Sequence, residues 1–486
     1  MTDVVIERVN EVYVRIHADP GIKMELSEYF EFEVPNARFI PAVKAGYWDG
    51  KIRLLNYMTG LIYSGLLGYI KKYCETHDYT LTVDADLLPS ETYNDDAGYE
   101  LANEFNAPFE PYYYQNKAVA HGIHNNRCLF LSPTASGKSF TIYLLARYHV
   151  QSAARRILIV VPTISLVSQL STDFIEYNNN VPMDIHKITS GVDKNVEADY
   201  TITTWQSIQK LPASWFEKFD VIFGDEAHNF KAKSLTKILE NTPNIKYRYG
   251  LTGSLDDSQT HRLVLEGLFG PVMSVTDTKT LMDEGIVSKL KIKAMVLQYD
   301  DASRKSVHKL SYPDEIEWII SHHKRNKFIS KLADAIEGNT LILYQFVERH
   351  GDVLVEMLRE ITDKNIHYVH GGVSAAAREE IRAICEKTSN NIILASYGTF
   401  STGINIKRLD NIITASPSKS KIRNLQSIGR VLRIYDDVST ATLYDIVDDL
   451  QWKKRANFAT RHFMERVKTY NEQQFDMKIY NIPIKG

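Results

Sequence analysis

Ser132-Pro133-Thr134-Ala135-Ser136-Gly137-Lys138-Ser139 follows the apolar run Cys128-Leu-Phe-Leu131 and precedes Phe140-Thr-Ile-Tyr-Leu-Leu-Ala-Arg147. The first run reads as a buried strand, and the last carries apolar residues at helical spacing. A strand, a tight loop ending in Gly-Lys-Ser and a helix are the context of a phosphate-binding loop. Backbone N–H groups of such a loop and of the helix start face phosphate oxygens. Lys138 is placed for the β- and γ-phosphates and Ser139 for Mg2+. The usual first glycine of the pattern is Ser132. A bare Gly-Lys-Ser triplet also occurs as an ordinary turn entering a helix, but the flanking strand and helix favour a nucleotide site. All eight residues are candidate ATP contacts.

With 486 residues, the chain has length for about three domains. Hydrophobic residues at 44% and charged residues at 24% fit a globular protein with ordinary cores. The net charge of −3 excludes a polycation, yet local patches, not the total, set the field at a surface. Cys74, Cys128 and Cys385 lie far apart, which supports neither a zinc site nor a disulfide framework. No apolar run approaches membrane-spanning length, and the first residues do not read as a signal peptide. No membrane partner is expected.

Residues 1–98 read as a small α+β nucleic-acid-binding domain. Val12–Ile16 alternates like a strand, Lys23–Phe32 reads as a helix, and Asp49-Gly50 is a hairpin-turn signal. Between Arg38 and Lys72 there are six cationic side chains, among them Lys44, Lys51 and Arg53, against the single acid Asp49. Tyr47 and Trp48 are interleaved, which suits phosphate contact with base stacking. A small domain with Trp48 in its core and solvated lysines is the bland alternative. Tyr93–Gly98 reads as a linker.

Residues 99–288 alternate strand and helix signals, so a parallel sheet flanked by helices is expected. The strands are Cys128–Leu131, Ile157–Val161, Tyr200–Thr203, Val221–Phe223 and Tyr247–Leu251. Ligands of such sheets sit beyond the carboxyl ends of the strands. Asp225-Glu226-Ala227-His228 stands at one such end, 87 positions after Lys138. Asp225 suits a Mg2+ held through water, Glu226 the attacking water, and His228 the γ-phosphate. Residues 289–450 alternate again, with strands at Leu341–Tyr344, Ile366–Val369, Ile392–Ala395 and Ile412–Ala415, but with no second phosphate loop. His322-His323-Lys324-Arg325 reads equally as a basic DNA-facing element or a solvated helix face. Residues 451–486 hold eight Lys/Arg against three acids. They read as a basic helical extension docked through Trp452, Phe458, Phe463 and Val467, with its basic face free for DNA.

Asp-Glu-Ala-His with this loop resembles a superfamily 2 helicase, and the other motifs of that family come in order. Gln115, after Tyr114, resembles the residue that reads adenine. Thr163, Gly191, Thr204 and Trp205 resemble the first-domain contacts to the nucleic-acid backbone. Thr252-Gly253-Ser254 resembles the motif that couples hydrolysis to strand contact. Gln345, Gly371, Ser396 and Thr402 resemble second-domain backbone contacts, with Gly403 and Asn405 on the nucleotide side. Gln426, Arg430 and Arg433 fall in Gln-x-x-Gly-Arg-x-x-Arg, with Gln426 in coupling. A planar, permanently charged arginine fork suits the γ-phosphate. Hydroxyl and glycine residues at strand ends bond phosphate oxygens without reading sequence.

Gly46-Tyr-Trp48-Asp49-Gly50-Lys51-Ile-Arg53, the phosphate loop and Ala395-Ser-Tyr-Gly398 resemble, more narrowly, the recombination helicases of T4-like bacteriophages. That family's Asp-Glu-Cys-His stands here as Asp225-Glu226-Ala227-His228, a change outside the charged positions. The resemblance implies two tandem RecA-like domains closing on ATP and Mg2+ behind a small DNA-binding domain. It implies action on branched, forked and four-way DNA, with R-loops as RNA–DNA hybrid substrates. It also implies a monomer in the cytoplasm of the infected bacterium, with single-stranded-DNA-binding or recombination proteins as partners. The alternatives are a duplex translocase or RNA helicase without junction preference, and an ATP-gated clamp without turnover. A clamp has no use for Glu226, Arg430 and Arg433.

Overall fold

The computed structural model describes residues 2–34, 37–87, 94–153, 155–231, 233–255, 259–403, 406, 408–417 and 440–484. Two compact units are present. The first comprises Met1–Ser132 and Gly137–Thr276, the second Asp277–Gly486 together with Pro133–Ser136. The division falls before the expected boundary at 288.

The first unit begins with β1 (Val4–Arg8), β2 (Tyr13–Ala18), β3 (Glu31–Glu33), β4 (Lys51–Arg53), β5 (Leu61–Tyr63) and β6 (Leu81–Val83). Four of them form a sheet of order β5-β2-β1-β6. Val4, Ile6, Val14 and Ile16 alternate inward onto Leu26, Phe30, Leu66 and Ile70, as the two-residue period of a half-covered sheet requires. The helix runs from Pro20 to Tyr29 and stops before β3.

Asp49-Gly50 does not turn a tight hairpin. β4 pairs antiparallel with β3 across a long connection that holds the helix Pro41–Lys44. Asp49 Oδ1 instead accepts the Lys51 N–H at 3.0 Å, the local side-chain turn that Asp favours. The linker signal at Tyr93–Gly98 is also short-lived. Ala97 and Gly98 already belong to the helix Ala97–Glu104, and the Gly98 N–H donates to Asn116 Oδ1 at 2.8 Å.

Next come β7 (Arg127–Leu131), β8 (Ile157–Val161), β9 (Ile185–Ile188), β10 (Tyr200–Thr204), β11 (Val221–Asp225), β12 (Tyr247–Thr252) and β13 (Val272–Ser274). They make one sheet of order β13-β7-β12-β11-β8-β10-β9, parallel throughout. Ile157, Ile159 and Val161 enter one core while Leu158 and Val160 enter the other. That is why the central strands read as unbroken apolar runs, since a parallel sheet is covered on both faces.

His149 lies fully buried under this sheet. Arg155 Nη1 sits 2.9 Å from its Nδ1, and its Nε2 lies 3.0 Å from the Tyr249 hydroxyl, which donates to Gly122 O. The network fixes a neutral ring with its proton on Nε2. Burial, with Arg155 adding, pulls its pKa down to about 3. A depressed pKa means the neutral form is the one the fold accepts. The stability it contributes is present above pH 6.5 and is lost as the pH falls toward 3. In His149→Asn the loss of stability per pH unit in that window should be shallower by roughly 1.4 kcal/mol, measured by urea unfolding at stepped pH.

The second unit holds β14 (Lys289–Gln298), β15 (Thr340–Tyr344), β16 (Ile366–Val369), β17 (Ile392–Ser396), β18 (Asn411–Thr414), β19 (Thr440–Asp449) and β20 (Asp476–Pro483). These also form one sheet, of order β16-β17-β15-β18-β19-β14-β20 and parallel throughout. The C-terminal extension is not wholly helical. The helix Phe458–Glu472 packs Phe463 and Val467 on Ala294 and Val447. The chain then returns as β20, which pairs parallel with Lys291–Gln298 of β14.

Two expectations of free basic faces change here. Arg325 and Arg466 are both buried, each held by a carboxylate of β19 (Asp448 and Asp445 respectively). A desolvated guanidinium survives only when paired and hydrogen-bonded. Lys324 and Lys327 on the helix His323–Ala335, and Arg461 and Lys468 on the helix Phe458–Glu472, remain exposed.

Candidate nucleotide and nucleic-acid site

Apart from Gln115, which sits in the helix Tyr113–Asn125 leading into β7, the first-unit candidates outside the N-terminal domain lie at the carboxyl edge of the sheet or just after it. In register, Leu131 on β7 stands beside Thr252 on β12, Leu251 beside Asp225 on β11, and Gly224 beside Val160 on β8. Farther along, Val161 stands beside Thr204 on β10, and Thr203 beside Ile188 on β9. The edge therefore has a phosphate-loop half and a hydroxyl half.

In the loop half, the Ser132 N–H donates to Thr252 O at 2.9 Å. Ser136 Oγ donates to Pro133 O at 2.7 Å, and Lys138 Nζ reaches Ser132 O at 3.3 Å. Ala135 and Gly137 take φ of +69° and +76°, the left-handed backbone that lets a loop curl tightly around an anion. Gly137 is needed twice over. Its φ is left-handed, and a Cβ there would meet Gln115 Nε2 at 2.4 Å.

Gln115 is buried and braces the loop. Its Nε2 donates to Gly137 O at 3.1 Å, and its Oε1 accepts the Tyr112 N–H at 2.9 Å. Ser139 Oγ lies 2.8 Å from the Tyr177 hydroxyl. Tyr177 is not among the sequence candidates. It ends a helix 38 residues away, and nothing local marks it.

Asp225 ends β11, and Glu226 comes next at φ +49°, a conformation that costs a non-glycine residue about 1 kcal/mol and gathers at functional sites. The Glu226 N–H donates to Asp225 Oδ1 at 2.9 Å. Burial, and then the Glu226 charge, push the Asp225 carboxyl above the usual carboxylate range, with Lys138 opposing. A divalent cation is the group that offsets two crowded carboxylates, so the donor set fits Mg2+ beside a nucleotide.

His228 Nδ1 lies 3.0 Å from Thr252 Oγ1, which itself donates to Ser254 O at 2.9 Å. Because the threonine has one proton to give, the histidine carries its own on Nδ1. Glu226 Oε2 is 3.4 Å from the same nitrogen. Thr252, Gly253 and Ser254 thus connect, through one side-chain chain, to the turn that holds Glu226.

In the hydroxyl half, Thr163 caps the helix Ile164–Tyr177 and lies 3.0 Å from Ser165 Oγ. Thr204 is buried against Ser207, with Trp205 half-buried after it. Gly191 is exposed in the turn after β9. In the second unit, Gln345 follows β15, Gly371 follows β16 and Ser396 ends β17, so these three also share one carboxyl edge. The Gln345 N–H donates to Ser416 Oγ at 3.1 Å, and Ser396 Oγ lies 2.8 Å from Thr399 Oγ1. Thr402 and Gly403 stand in the helix Tyr397–Gly403. Asn405, Gln426, Arg430 and Arg433 lie outside the described residues.

The N-terminal patch is less basic than its composition. Arg53 Nη2 lies 2.7 Å from Glu31 and 2.6 Å from Asp49, and Lys51 pairs with Glu31. Strand pairing brings Glu31 across from Arg53, a tertiary contact invisible to a count along residues 38–72. Trp48 is half-buried and donates its Nε1–H to Lys51 O at 3.0 Å, whereas Tyr47 is 89% exposed and Lys44 is free of the sheet.

Two parallel sheets, the first with a phosphate loop and an Asp-Glu pair at its carboxyl edge, define a superfamily 2 helicase. Residues 3–84 match the model for the N-terminal domain of the DNA helicase UvsW, 108–257 that for the type III restriction enzyme res subunit, and 323–435 that for the helicase conserved C-terminal domain. The ATP-dependent DNA helicase uvsW of Enterobacteria phage T4 is 34% identical over 97% of this chain and 98% of its own length. The crystal structure of T4 UvsW aligns over 100% of both chains at 32% identity, with a TM-score of 0.53. The Type ISP restriction-modification enzyme LlaBIII shares the fold over 85% of this chain and 34% of its own, at 15% identity and a TM-score of 0.57. The chain belongs to the UvsW family of ATP-dependent DNA helicases.

Proposed function

We propose that the chain is a Mg2+- and ATP-driven motor that remodels branched DNA: forks, four-way junctions and R-loops. The observation that carries the reading is the shared carboxyl edge of the first sheet. It holds Lys138, Ser139, Asp225 and Glu226 in one half beside Thr163, Gly191 and Thr204 in the other, with Thr252 on the strand between the phosphate loop and Asp225 and hydrogen-bonded to His228. The end-to-end likeness to a phage DNA helicase supports the DNA track.

Mg·ATP supplies a polarised γ-phosphoryl group. Lys138 and the loop N–H groups would hold its phosphates, Ser139 and Asp225 would hold the ion, and Glu226 would orient the attacking water and take its proton. Arg430 and Arg433 are assigned to the charge that develops on the γ-phosphate, and Gln426 to coupling. Gln115 serves the adenine as well as the loop. Gly403 and Asn405 are assigned to the nucleotide, and Thr402, Gln345, Gly371 and Ser396 to the DNA backbone. The four domains are read as 1–98, 99–288, 289–450 and 451–486. The reading places the protein as a monomer in the bacterial cytoplasm, working beside recombination or single-stranded-DNA-binding proteins. Among the described residues no helix is long and apolar enough to cross a membrane.

The test is ATP hydrolysis and strand displacement across single-stranded, duplex, forked, four-way and RNA–DNA substrates of matched length. Junctions should give at least tenfold more displacement than linear duplex. Salt should weaken binding steeply, since phosphate contacts release counterions. Equal displacement on all substrates would leave a general translocase, and absence of phosphate release with saturating branched DNA would leave a clamp.

A further inference from the structure

The N-terminal domain is seated on the first motor sheet through its backbone, not merely tethered to it. Gly65 is buried against the helix Gln259–Phe269, and a Cβ there would lie 2.0 Å from Glu266 O and 2.7 Å from Gly267 O. In turn, a Cβ on Gly267 would lie 2.7 Å from that of Tyr63. Such separations leave no room to slide, since real Cβ atoms do not approach backbone oxygen so closely.

Polar contacts lock the same seam. Arg127 Nη2 donates to Glu11 O and Glu11 Oε2, each at 3.0 Å, and its Nη1 bonds Ser64. The Glu11 N–H donates to Pro243 O at 2.9 Å. Tyr63 and Tyr13 both donate to Glu240, and Tyr69 donates to the buried Glu266. Val12 is part of the motor core, and Leu263 is part of the N-terminal one.

Arg127 is the first residue of β7, so the domain docks at the amino edge of the sheet. The phosphate loop leaves the opposite end of the same strand, about 13 Å away at the usual rise. The helix in the seam is also the one that comes after Thr252-Gly253-Ser254. Lys44 and Tyr47 are therefore carried on a body fixed to the motor from the side away from the carboxyl edge.

We propose that this seam is a positioning device: Gly65, Gly267, Glu11, Ser64 and Arg127 hold the N-terminal domain at one fixed placement, so that it engages a DNA arm other than the strand at the carboxyl edge. The selectivity for branched DNA then lives in this placement as well as in the basic loop. The inference rests on the junction reading above.

Gly65→Ala forces the seam apart by about an ångström, from the overlap of its Cβ with backbone oxygen, while Glu11→Gln with Ser64→Ala loosens it without a clash. Single-strand-stimulated ATP hydrolysis should stay within about twofold of wild type in both. Displacement of four-way and forked DNA should fall at least tenfold in Gly65→Ala and a few-fold in the double variant, with apparent affinity for linear duplex unchanged. Should Gly65→Ala fail to fold, the double variant decides alone. A parallel fall of both activities would mean a merely structural seam and overturn the inference, as would unchanged junction displacement in the folded variants. Wild type without junction preference would overturn the junction reading itself, and this inference with it.

Discussion

Glu226→Gln is expected to bind ATP with affinity close to wild type and to lose DNA-stimulated hydrolysis by roughly 10²–10⁴. The amide keeps the size and the hydrogen-bonding reach of the carboxylate but cannot take the proton of the attacking water. The turn should survive, because the contacts that hold it are the Glu226 N–H on Asp225 and the Asn229 side chain on Glu226 O, both backbone atoms of residue 226. Lys138→Ala should behave differently and lose nucleotide binding together with turnover. Asp225→Asn separates the two further. Its carboxyl is pushed up by burial and by Glu226, so the native state binds a proton there more tightly than the unfolded chain does. Stability without nucleotide must then fall as the pH rises from about 4 past the raised native pKa. The asparagine variant should lose that slope while also losing Mg2+-dependent binding. Nucleotide binding by a fluorescent analogue, phosphate release and urea unfolding at stepped pH separate the three variants. Hydrolysis within threefold of wild type in Glu226→Gln would remove Glu226 from the mechanism.

Much of this site is legible in the sequence because a parallel sheet exposes its chemistry at chain positions that can be counted. Ile157–Val161 and Val221–Phe223 are apolar throughout since both faces are buried, and the residues just after each run must lie at the carboxyl edge. Lys138, Asp225, Thr163, Thr204 and Thr252 can be placed on that edge by counting alone. The strands that escape such counting are those whose burial depends on partners distant in sequence. β19 carries Asp445 and Asp448 and reads as too polar for a core. β14 carries Lys289, Lys291 and Lys293, and only its alternation marks it. Tertiary pairing also undoes the charge count in the N-terminal domain, where Glu31 meets both Lys51 and Arg53. Tyr177 on Ser139 and the Gly65–Gly267 seam belong to the same class, being contacts between elements with no local signature.

The buried pair Arg325–Asp448 predicts the largest effect on stability. Arg325 Nε and Nη2 meet the two oxygens of Asp448 at 2.7 and 3.1 Å, and Nη2 also donates to Ala415 O at 2.7 Å. Tyr299 adds a third donor to the carboxylate at 2.7 Å. Both ionic side chains have no exposed surface. Asp448→Ala strands a guanidinium in the core and should cost about 3–5 kcal/mol, a large fraction of the roughly 5–15 kcal/mol that holds a typical domain folded. Replacing both partners by apolar residues of similar volume, Arg325→Met with Asp448→Leu, should recover most of the loss, because what is removed is then a desolvation cost as well as an attraction. The pair ties Ala415, just beyond β18, to β19, and the chain between those two strands carries Gln426, Arg430 and Arg433. Asp448→Ala should therefore lower ATP turnover under conditions where the first unit is still folded. The double variant should regain stability more completely than turnover, since a methionine in place of Arg325 has no donor for Ala415 O. Two units need not unfold together, so amide exchange in β19 is the suitable measure of stability, read beside phosphate release. A cost below about 1 kcal/mol for Asp448→Ala would mean that water reaches the guanidinium, and that the pair is not the anchor of this edge.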